Sequence, residues 1–435
     1  MRFLRALCCV CALLPVFCGT ARAEGFALNE WSARGVALAG GLVGRADDVS
    51  ALAYNAAGIT QLPGTHLMAG MAFIAPMGTI DTDLVGGRKH DTTTKPATFY
   101  APHGFVSHQL NDDFWLGLGI FSRFGVGNEY AENWVGRYNV YDVGLQTVSF
   151  VPTIAWKIND MFSVSAGVEL LYAGFYMGNK IPTMTLSAIG VPQHGPDNDL
   201  QLQGDGWGVG AQFGLHMRFN DQWSLGLAYK SQVTLNIDGD VEFGRQGEPN
   251  LLARQGLVPE ARNCGANATV QLPDSLALGL AYKPLEALSF EVGAVWTRWS
   301  TYNALNIYMD SGYASINDKA ARDGLNLNAS VEYWPLDWLA LRAGVSYETP
   351  VLNEKHADFL MPTYGRTTLG LGAGVKWNDL TLDLAYAHLW INSMDYGQTD
   401  AAGLLAGPTS PSSITNAHSK NVVANIYMFS IGYSF

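Results

Sequence analysis

The sequence carries few of the residue patterns that covalent chemistry requires. It has no Gly-x-Ser-x-Gly nucleophile motif and no glycine-rich phosphate loop followed by Lys and Ser or Thr. Its nine histidines are scattered without the spacing of metal ligands. We therefore predict a protein that is not an enzyme and that uses no cofactor and no metal.

Two glycine triplets look at first like nucleotide-binding loops. They are Gly206, Gly208 and Gly210, and Gly370, Gly372 and Gly374. Each triplet has a strict period of two, with large apolar residues between the glycines. A β-strand points successive side chains to opposite faces, so this pattern indicates a strand with one large and one small face.

The same alternation recurs along the chain about fourteen times and ends at its last residue. Tyr427, Phe429, Ile431, Tyr433 and Phe435 occupy every second position of the final nine. The pattern predicts an all-β protein with strands of the following approximate bounds: 64–76, 97–109, 113–122, 146–158, 161–175, 206–219, 222–236, 273–283, 286–299, 323–334, 338–348, 366–377, 380–392 and 421–435.

The connections between these strands alternate between short and long. Short turns such as Asn111-Asp112, Asn159-Asp160 and Asn220-Asp221 alternate with long loops. Short turns on one rim and long loops on the other are typical of an outer-membrane β-barrel, which leaves no unpaired strand edge in lipid. We predict a 14-stranded antiparallel transmembrane barrel. Eight outward aromatics should form a girdle at the short-turn rim: Trp156, Phe219, Trp223, Tyr282, Tyr333, Trp377, Tyr433 and Phe435.

The N-terminus has the order of a secretory signal. Arg2 and Arg5 precede an apolar run, and Ala21-Arg22-Ala23 supplies small residues for cleavage, so residues 1–23 are predicted to be removed. Four of the five cysteines leave with them. The formal charge then falls from −12 to −15, because three arginines are lost, which argues against nucleic acid as a partner. These features predict the outer membrane of a Gram-negative bacterium.

Residues 24–63 lack the alternation and precede the first strand. Phe26, Leu28 and Trp31 make this segment too apolar for a disordered tail. We predict a small hatch that plugs the lumen of the barrel formed by residues 64–435. Asp47 or Asp48 should cap a short helix that ends at Gly58.

From Gly25 onward the chain resembles the FadL family of outer-membrane transporters for long-chain fatty acids and other hydrophobic compounds. The similarity includes a proline-free form of the family's Asn-Pro-Ala-Gly element, Asn55-Ala56-Ala57-Gly58, and the Tyr347–Arg366 stretch. The remaining matching residues are Gly25, Phe26, Leu28, Glu30, Ser32, Gly35, Ala39, Gly40, Asp47, Asp48, Trp134, Gly136, Arg137 and Tyr138.

The resemblance implies that loops capture a hydrophobic ligand, that a pocket near the hatch binds it, and that it leaves sideways at a kinked third strand. The kink would lie in Ser122–Gly127. Phe26, Leu28 and Trp31 are expected in the pocket. A ligand carboxylate would need a cation, for which Arg137, Arg218 and Arg342 are candidates; the alternative is that all three pair with barrel carboxylates. The sequence does not separate fatty acids from neutral aromatic hydrocarbons.

Two further groups of residues are expected to handle the ligand. Loops 176–205 and 237–272, with Met184, Leu186, Leu251 and Leu252, should capture it, unless they act only as a lid. The hatch turn formed by Asp47, Asp48, Asn55, Ala56, Ala57 and Gly58 should control opening and lie near the third strand.

A diffusion porin is the main competing interpretation, because several charged residues face inward by parity. A hatch would block such a pore. A phospholipase with a Ser and a His hidden on a strand would also fit a barrel, but the long loops and the hatch argue against it. The long loops would also suit a receptor or adhesion surface as a secondary role. The expected partners are a hydrophobic small molecule and outer-membrane lipid, and the barrel is expected to be a monomer. The inward charges are Glu169, Glu291, Glu332, Arg342, Glu348, Lys376 and Asp383.

Overall fold

The computed structural model describes residues 25–84, 86–181, 197–244, 263–312, 314–360, 364–397 and 414–435. The predicted signal segment lies outside these ranges. So do four predicted loop residues, Met184, Leu186, Leu251 and Leu252.

The described residues form a single antiparallel sheet that closes into a barrel of fourteen strands. Some of the strands are interrupted and are given as two segments. The strands are β1 Thr65–Leu84, β2 Arg88–Thr93 and Phe99–Gln109, β3 Phe114–Phe121 and Gly125–Glu129, β4 Asp142–Lys157, β5 Phe162–Ile181, β6 Asn198–Arg218, β7 Trp223–Lys230 and Val233–Phe243, β8 Cys264–Leu272 and Ser275–Leu285, β9 Leu288–Thr297 and Ala304–Met309, β10 Ala314–Asp318 and Gly324–Leu336, β11 Leu339–Glu348, β12 Arg366–Trp377, β13 Leu380–Ile391, and β14 Ile414–Ser434.

β1 closes the barrel by pairing with β14 on one side and β2 on the other. The predicted strand number is therefore confirmed. Several strands run further toward the long loops than the alternation indicated; β14, for example, begins at Ile414 instead of residue 421. The loops are correspondingly shorter, and Cys264 is the first residue of β8 instead of a loop residue. Beyond lipid both faces of a strand can be polar, so the apolar alternation fades while the ladder continues.

The outer surface and the short turns follow the sequence closely. In three turns an asparagine side chain, Asn111, Asn159 or Asn220, accepts hydrogen bonds from the backbone N–H groups two and three residues later. Large aromatics at the same end of the barrel are exposed, up to 73% for Trp377 and Phe435. We call this end of the barrel the short-turn rim and the other end the loop rim.

The hatch, residues 25–63, lies inside the ring of strands. Helix α1 spans Ala33–Ala37, and the Ser32 hydroxyl accepts from the Gly35 N–H at 3.1 Å. Glycines of the barrel let this helix approach closely, since a Cβ at Gly370 would lie 2.2 Å from the Val36 carbonyl oxygen. The small face predicted for the strand with Gly370, Gly372 and Gly374 therefore points inward and accommodates the hatch.

The second half of the hatch differs from the predicted helix. Helix α2 spans Ala51–Tyr54 and ends at Asn55, whose backbone is extended at φ −154° and ψ 93°. A 3₁₀ helix, Ala56–Gln61, follows and contains Gly58, which is therefore not a helix stop. The Asp48 carboxylate accepts from the Ser50 N–H at 2.7 Å instead of capping α2 directly. No helix within the described ranges has the length and apolar character needed to cross a membrane.

Candidate functional site

An apolar cavity of about 830 Å³ lies between the hatch and the loop rim. We call it the upper cavity. Aliphatic side chains from β3 to β9 form most of its wall, and polar side chains are few. Its lining includes Val126, Val143, Leu145, Phe175, Leu202, Leu235, Ile237, Ala266, Ala268, Val270, Leu272, Leu305 and Ile307.

Phe26, at the start of the hatch, borders the upper cavity on the hatch side. Its ring lies edge-on to Trp299 at 4.7 Å, to Tyr302 at 5.5 Å and to Phe124 at 6.0 Å between ring centres. Trp299 belongs to a short 3₁₀ segment, Trp299–Thr301, that interrupts β9. Phe26 is thus fixed by aromatic contacts from two places in the wall, and it separates the upper cavity from the space beneath it.

A second cavity, of about 660 Å³, lies between the hatch and strands β7 to β10. We call it the lower cavity. Leu28 and Trp31 line it, whereas Phe26 lines the upper one, so the three predicted hatch residues do not share one pocket. The lower cavity also has a polar lining, which includes Arg123, Lys230, Ser275, Thr297, Asn326 and Asn328.

The wall of the barrel is incomplete between β2 and β3. Their ladder runs from Gln109 and Trp115 up to Gly104 and Ile120, and among the described pairs it stops there. Within the described residues, the second segment of β3, from Gly125, has a ladder with β4 alone. The backbone meets β2 again where the Lys95 N–H donates to the Glu129 carbonyl at 2.8 Å. We call the opening between these points the gap.

The hatch and an aromatic ring fill part of the gap. The hatch backbone forms a β-bridge at Ala27 and Phe124, where β3 is interrupted. The ring of Phe99, on β2, lies over Gly127, where an added Cβ would be 2.1 Å from the ring. A third cavity of about 600 Å³ lies on the β1 and β2 side of this segment, and Val126 borders both it and the upper cavity.

Ion pairs and backbone bonds attach the hatch to the wall near the short-turn rim. Arg34 bonds Asp47 at 2.7 Å, Asp48 at 2.8 Å and Glu332 of β10 at 2.7 Å. The Glu332 carboxylate also bonds Arg342 of β11 at 2.5 Å. Every member of this group except Asp47 is largely buried, so the hatch is held by a charged network inside the barrel.

A second attachment involves one carboxylate of β9. Glu291 accepts hydrogen bonds from the backbone N–H groups of Val43, Gly44 and Arg45 at 2.8 to 3.0 Å, and the Arg45 guanidinium lies 3.6 Å away. Three convergent N–H groups form a turn that binds an anion, and the anion bound here is the Glu291 carboxylate of the barrel wall.

The family comparison identifies the architecture. A family model described as outer membrane protein transport protein (OMPP1/FadL/TodX) matches residues 14–435. This chain belongs to that family. It is an outer-membrane transport protein, as the resemblance implied, and the predicted location in a Gram-negative outer membrane is confirmed.

Individual relatives agree with this assignment. The chain is 26% identical over 403 residues to a long-chain fatty acid transport protein of Escherichia coli O6:H1, covering 87% of this chain and 89% of the relative. A Pseudomonas aeruginosa FadL homologue superposes with a TM-score of 0.81 at 19% identity, over 95% of this chain and all of that one. The Pseudomonas putida toluene transporter TodX gives a TM-score of 0.68 at 16% identity, over 95% and 100%. At these identities the two structures establish the shared fold.

In this FadL-family barrel the three predicted arginines lie away from both cavities. Arg137 pairs with Asp197 at 2.8 Å, and Arg218 pairs with Asp221 at 3.1 Å in a turn at the short-turn rim. Arg342 belongs to the hatch network. Each guanidinium has a carboxylate partner, as the alternative predicted, and a ligand role for the three arginines stays a prediction.

The predicted hatch turn also lies elsewhere than expected. Asp47 and Asp48 face Arg34 and β10, and Asn55 donates to the Leu215 carbonyl of β6 at 3.1 Å. They are not beside the third strand. Leu52 contacts β3 instead, at Gly117. The role of this turn in opening stays a prediction.

Sequence reasoning missed the cations that border the cavities. Lys319 lines the upper cavity and pairs with Asp358 at 2.6 Å, and Lys230 lines the lower cavity. The alternation along β7 could have placed Lys230 on the inward face, because the preceding residue, Tyr229, has the outward parity. The His, Cys, Asp and Glu side chains of the described ranges form no group of three or more that could hold a metal ion.

Proposed function

We propose that the protein takes up hydrophobic compounds, long-chain fatty acids in particular, by binding them in the upper cavity and releasing them sideways through the gap. The apolar lining of the upper cavity, closed below by the hatch, carries this proposal. Each methylene group moved from water into such a lining is stabilised by about 0.8 kcal/mol. No enzymatic step is part of the proposal.

The gap provides a route that keeps the ligand out of water. The upper and third cavities share Val126 as a lining residue, between Gly125 and Gly127, and the Phe99 ring lies over Gly127, so this segment and that ring would have to shift to join them. A ligand that passes this segment reaches the space behind β2, and from there the bilayer. Sideways exit spares an apolar chain the cost of crossing the polar hatch network.

The names of two similar proteins help to choose between fatty acids and aromatic hydrocarbons as the ligand. The Escherichia coli relative is named for long-chain fatty acid transport, and TodX is described as a toluene transporter. The first is the closer in sequence of these two, which favours fatty acids for this chain. Capture by the long loops, a monomeric state and contact with outer-membrane lipid stay predictions.

A disulfide at the loop-rim edge of the gap tests the route, because it would keep β2 and β3 from moving apart. In a Cys264→Ser background, Lys95→Cys with Glu129→Cys would join β2 to β3 where their backbones are hydrogen-bonded. We expect oxidation to reduce oleate uptake by cells at least tenfold, reductant to restore it, and oleate binding to the purified barrel to be unchanged.

The matched control joins two strands that are already paired. Thr79→Cys with Thr93→Cys would form a disulfide between β1 and β2, whose residues 79 and 93 are ladder partners. This pair should leave uptake unchanged. Equal uptake by the oxidised and reduced gap variants would rule out the sideways route.

A further inference from the structure

Lys230 ends the first segment of β7 with its side chain in the lower cavity. The residue is 8% exposed. Its Nζ donates to the Ala53 carbonyl of the hatch at 2.6 Å and lies 3.6 Å from the centre of the Trp31 ring. Both partners are uncharged: one is a backbone carbonyl and the other an aromatic face.

The two other buried lysines of the described chain have carboxylate partners. Lys180 bonds Asp199 at 2.5 Å and Glu132 at 3.0 Å, and Lys319 bonds Asp358 at 2.6 Å. A buried ammonium without a counter-charge is costly, because its solvation is lost and no opposite charge replaces it. Lys230 therefore differs from Lys180 and Lys319, because its ammonium bonds no carboxylate. A binding site for an anionic ligand requires such a cation.

The carboxylate facing Lys230 is already engaged. Glu169 of β5 pairs with Arg123 at 2.6 Å and accepts from the Ser149 hydroxyl at 2.6 Å. Arg123 lies in the break of β3 and lines the same cavity. Two cations and one carboxylate leave a formal charge of +1 at this edge of the lower cavity.

The rest of the lower cavity suits an amphiphile. Leu28, Val43, Phe124, Ala277 and Val295 give it an apolar portion. An ammonium has three N–H groups. The Ala53 carbonyl accepts from one of them, and the Trp31 and Phe121 rings, with centres 3.6 and 5.8 Å from Nζ, give only cation–π contacts, so a ligand carboxylate would be its first charged partner.

We propose that Lys230 binds the carboxylate of a fatty acid in the lower cavity, which is thereby a second ligand site formed jointly by the hatch and β7 to β10. The inference rests on the proposed function and narrows its substrate class to ionised long-chain carboxylates. A neutral hydrocarbon of the same length gains nothing from Lys230. The upper cavity, by contrast, holds a chain mainly by apolar contacts, since Lys319, which lines it, is already paired with Asp358.

The test compares a fatty acid with its uncharged analogue. Binding of radiolabelled oleate and oleyl alcohol is measured on the full-length barrel in lipid nanodiscs, for the wild type, for Lys230→Met and for Arg218→Gln. In the wild type we expect oleate to bind at least tenfold more tightly than the alcohol. Lys230→Met should abolish that preference without changing alcohol binding, and Arg218→Gln, which removes an exposed cation at the rim, should preserve it.

A second readout separates a lost site from a misfolded barrel. Each variant is checked for the heat-modifiable mobility of a folded barrel, and oleate labelled with ¹³C at the carboxyl is titrated by NMR. The ligand carboxyl should remain ionised to a lower pH in the wild type than in Lys230→Met. Equal tight binding of oleate and alcohol to the wild type would overturn the Lys230 site and leave hydrophobic uptake intact. Failure of both ligands to bind would instead overturn the proposed function.

Discussion

The upper cavity and the hatch–wall contact differ in almost every physical respect although β9 takes part in both. Toward the loop rim, the inward faces of β4 to β9 are aliphatic and enclose space. Toward the short-turn rim, the inward face carries the charged residues Glu291, Glu332 and Arg342, which bond directly to the hatch or to one another. A long barrel strand can therefore change chemistry halfway along one face.

This difference shows how the lumen separates binding from closure. Apolar contacts are not directional, so the upper cavity can hold chains of different shape. Hydrogen bonds and ion pairs are directional, and they fix the hatch in one position. Lys230 lies at the boundary, because it bonds the hatch and also lines the lower cavity. Each side of this contrast can be altered separately by mutation.

Removal of the hatch should have the largest effect. A barrel lacking residues 25–62 loses every contact that fills the short-turn half of the lumen. We expect this variant to show steady ion conductance in planar bilayers and to lose selective oleate uptake. The intact barrel should not conduct ions freely and should take up oleate selectively. Free conductance by the intact barrel would contradict the hatch as a plug and support the porin interpretation.

Disruption of the charged network should release the hatch while leaving the barrel folded. Glu332→Gln removes the carboxylate that Arg34 and Arg342 share, but each arginine keeps another carboxylate, so we expect a loss of about 1–3 kcal/mol. Limited proteolysis of the hatch in increasing urea should show the loss. Arg218→Gln serves as the control, since its exposed pair with Asp221 contributes about 1 kcal/mol or less.

A polar residue in the upper cavity should weaken ligand binding and spare the hatch. Leu235 is buried and lines this cavity. Leu235→Asn should reduce the affinity for oleate and oleyl alcohol alike, by about 1–3 kcal/mol, because an unpaired amide then faces the chain. Leu235→Met, which conserves volume, should change little. A loss confined to oleate would show that the upper cavity also reads the head group.

Restoring the family's proline should have the smallest effect. Ala56 is the first residue of a 3₁₀ helix and follows an extended residue, which is a position that accepts proline. Ala56→Pro should stabilise the hatch by about 0.4–1 kcal/mol in the same urea series. Gly58→Pro is the contrasting variant, since the Gly58 N–H bonds the Asn55 carbonyl at 3.0 Å and would be lost.

The barrel could be predicted because every strand that crosses the bilayer must have an apolar face toward lipid. An alternating strand such as Tyr427–Phe435 must direct one face to the bilayer, and the turn asparagines mark where each hairpin reverses. Strand number, girdle and short turns all follow from this local signal. The strand ends were less accurate, because outside lipid the apolar alternation no longer reports the ladder.

The sites could not be predicted in the same way, because they depend on contacts between distant residues. Parity places Glu291 and Arg342 inward, but only the path of the hatch decides which residue each one meets. Arg34 lies 298 residues from its partner Glu332 in the sequence. No sequence feature near Lys230 shows whether its ammonium binds a ligand or a carboxylate of the protein. That it has no carboxylate partner is visible only in the three-dimensional structure.

The seam between β1 and β14 has a consequence for assembly. His66 pairs with Ser434 and Leu84 with Ile414, so the first and last strands meet along nearly their whole length. Closing a loop of that size carries a large entropic cost that is recovered only when the final strand is in place. Until then the sheet has two open edges in lipid, which is unfavourable. The ring should therefore form as one cooperative unit, and a chain that lacks its last strand should remain unassembled instead of forming a smaller barrel.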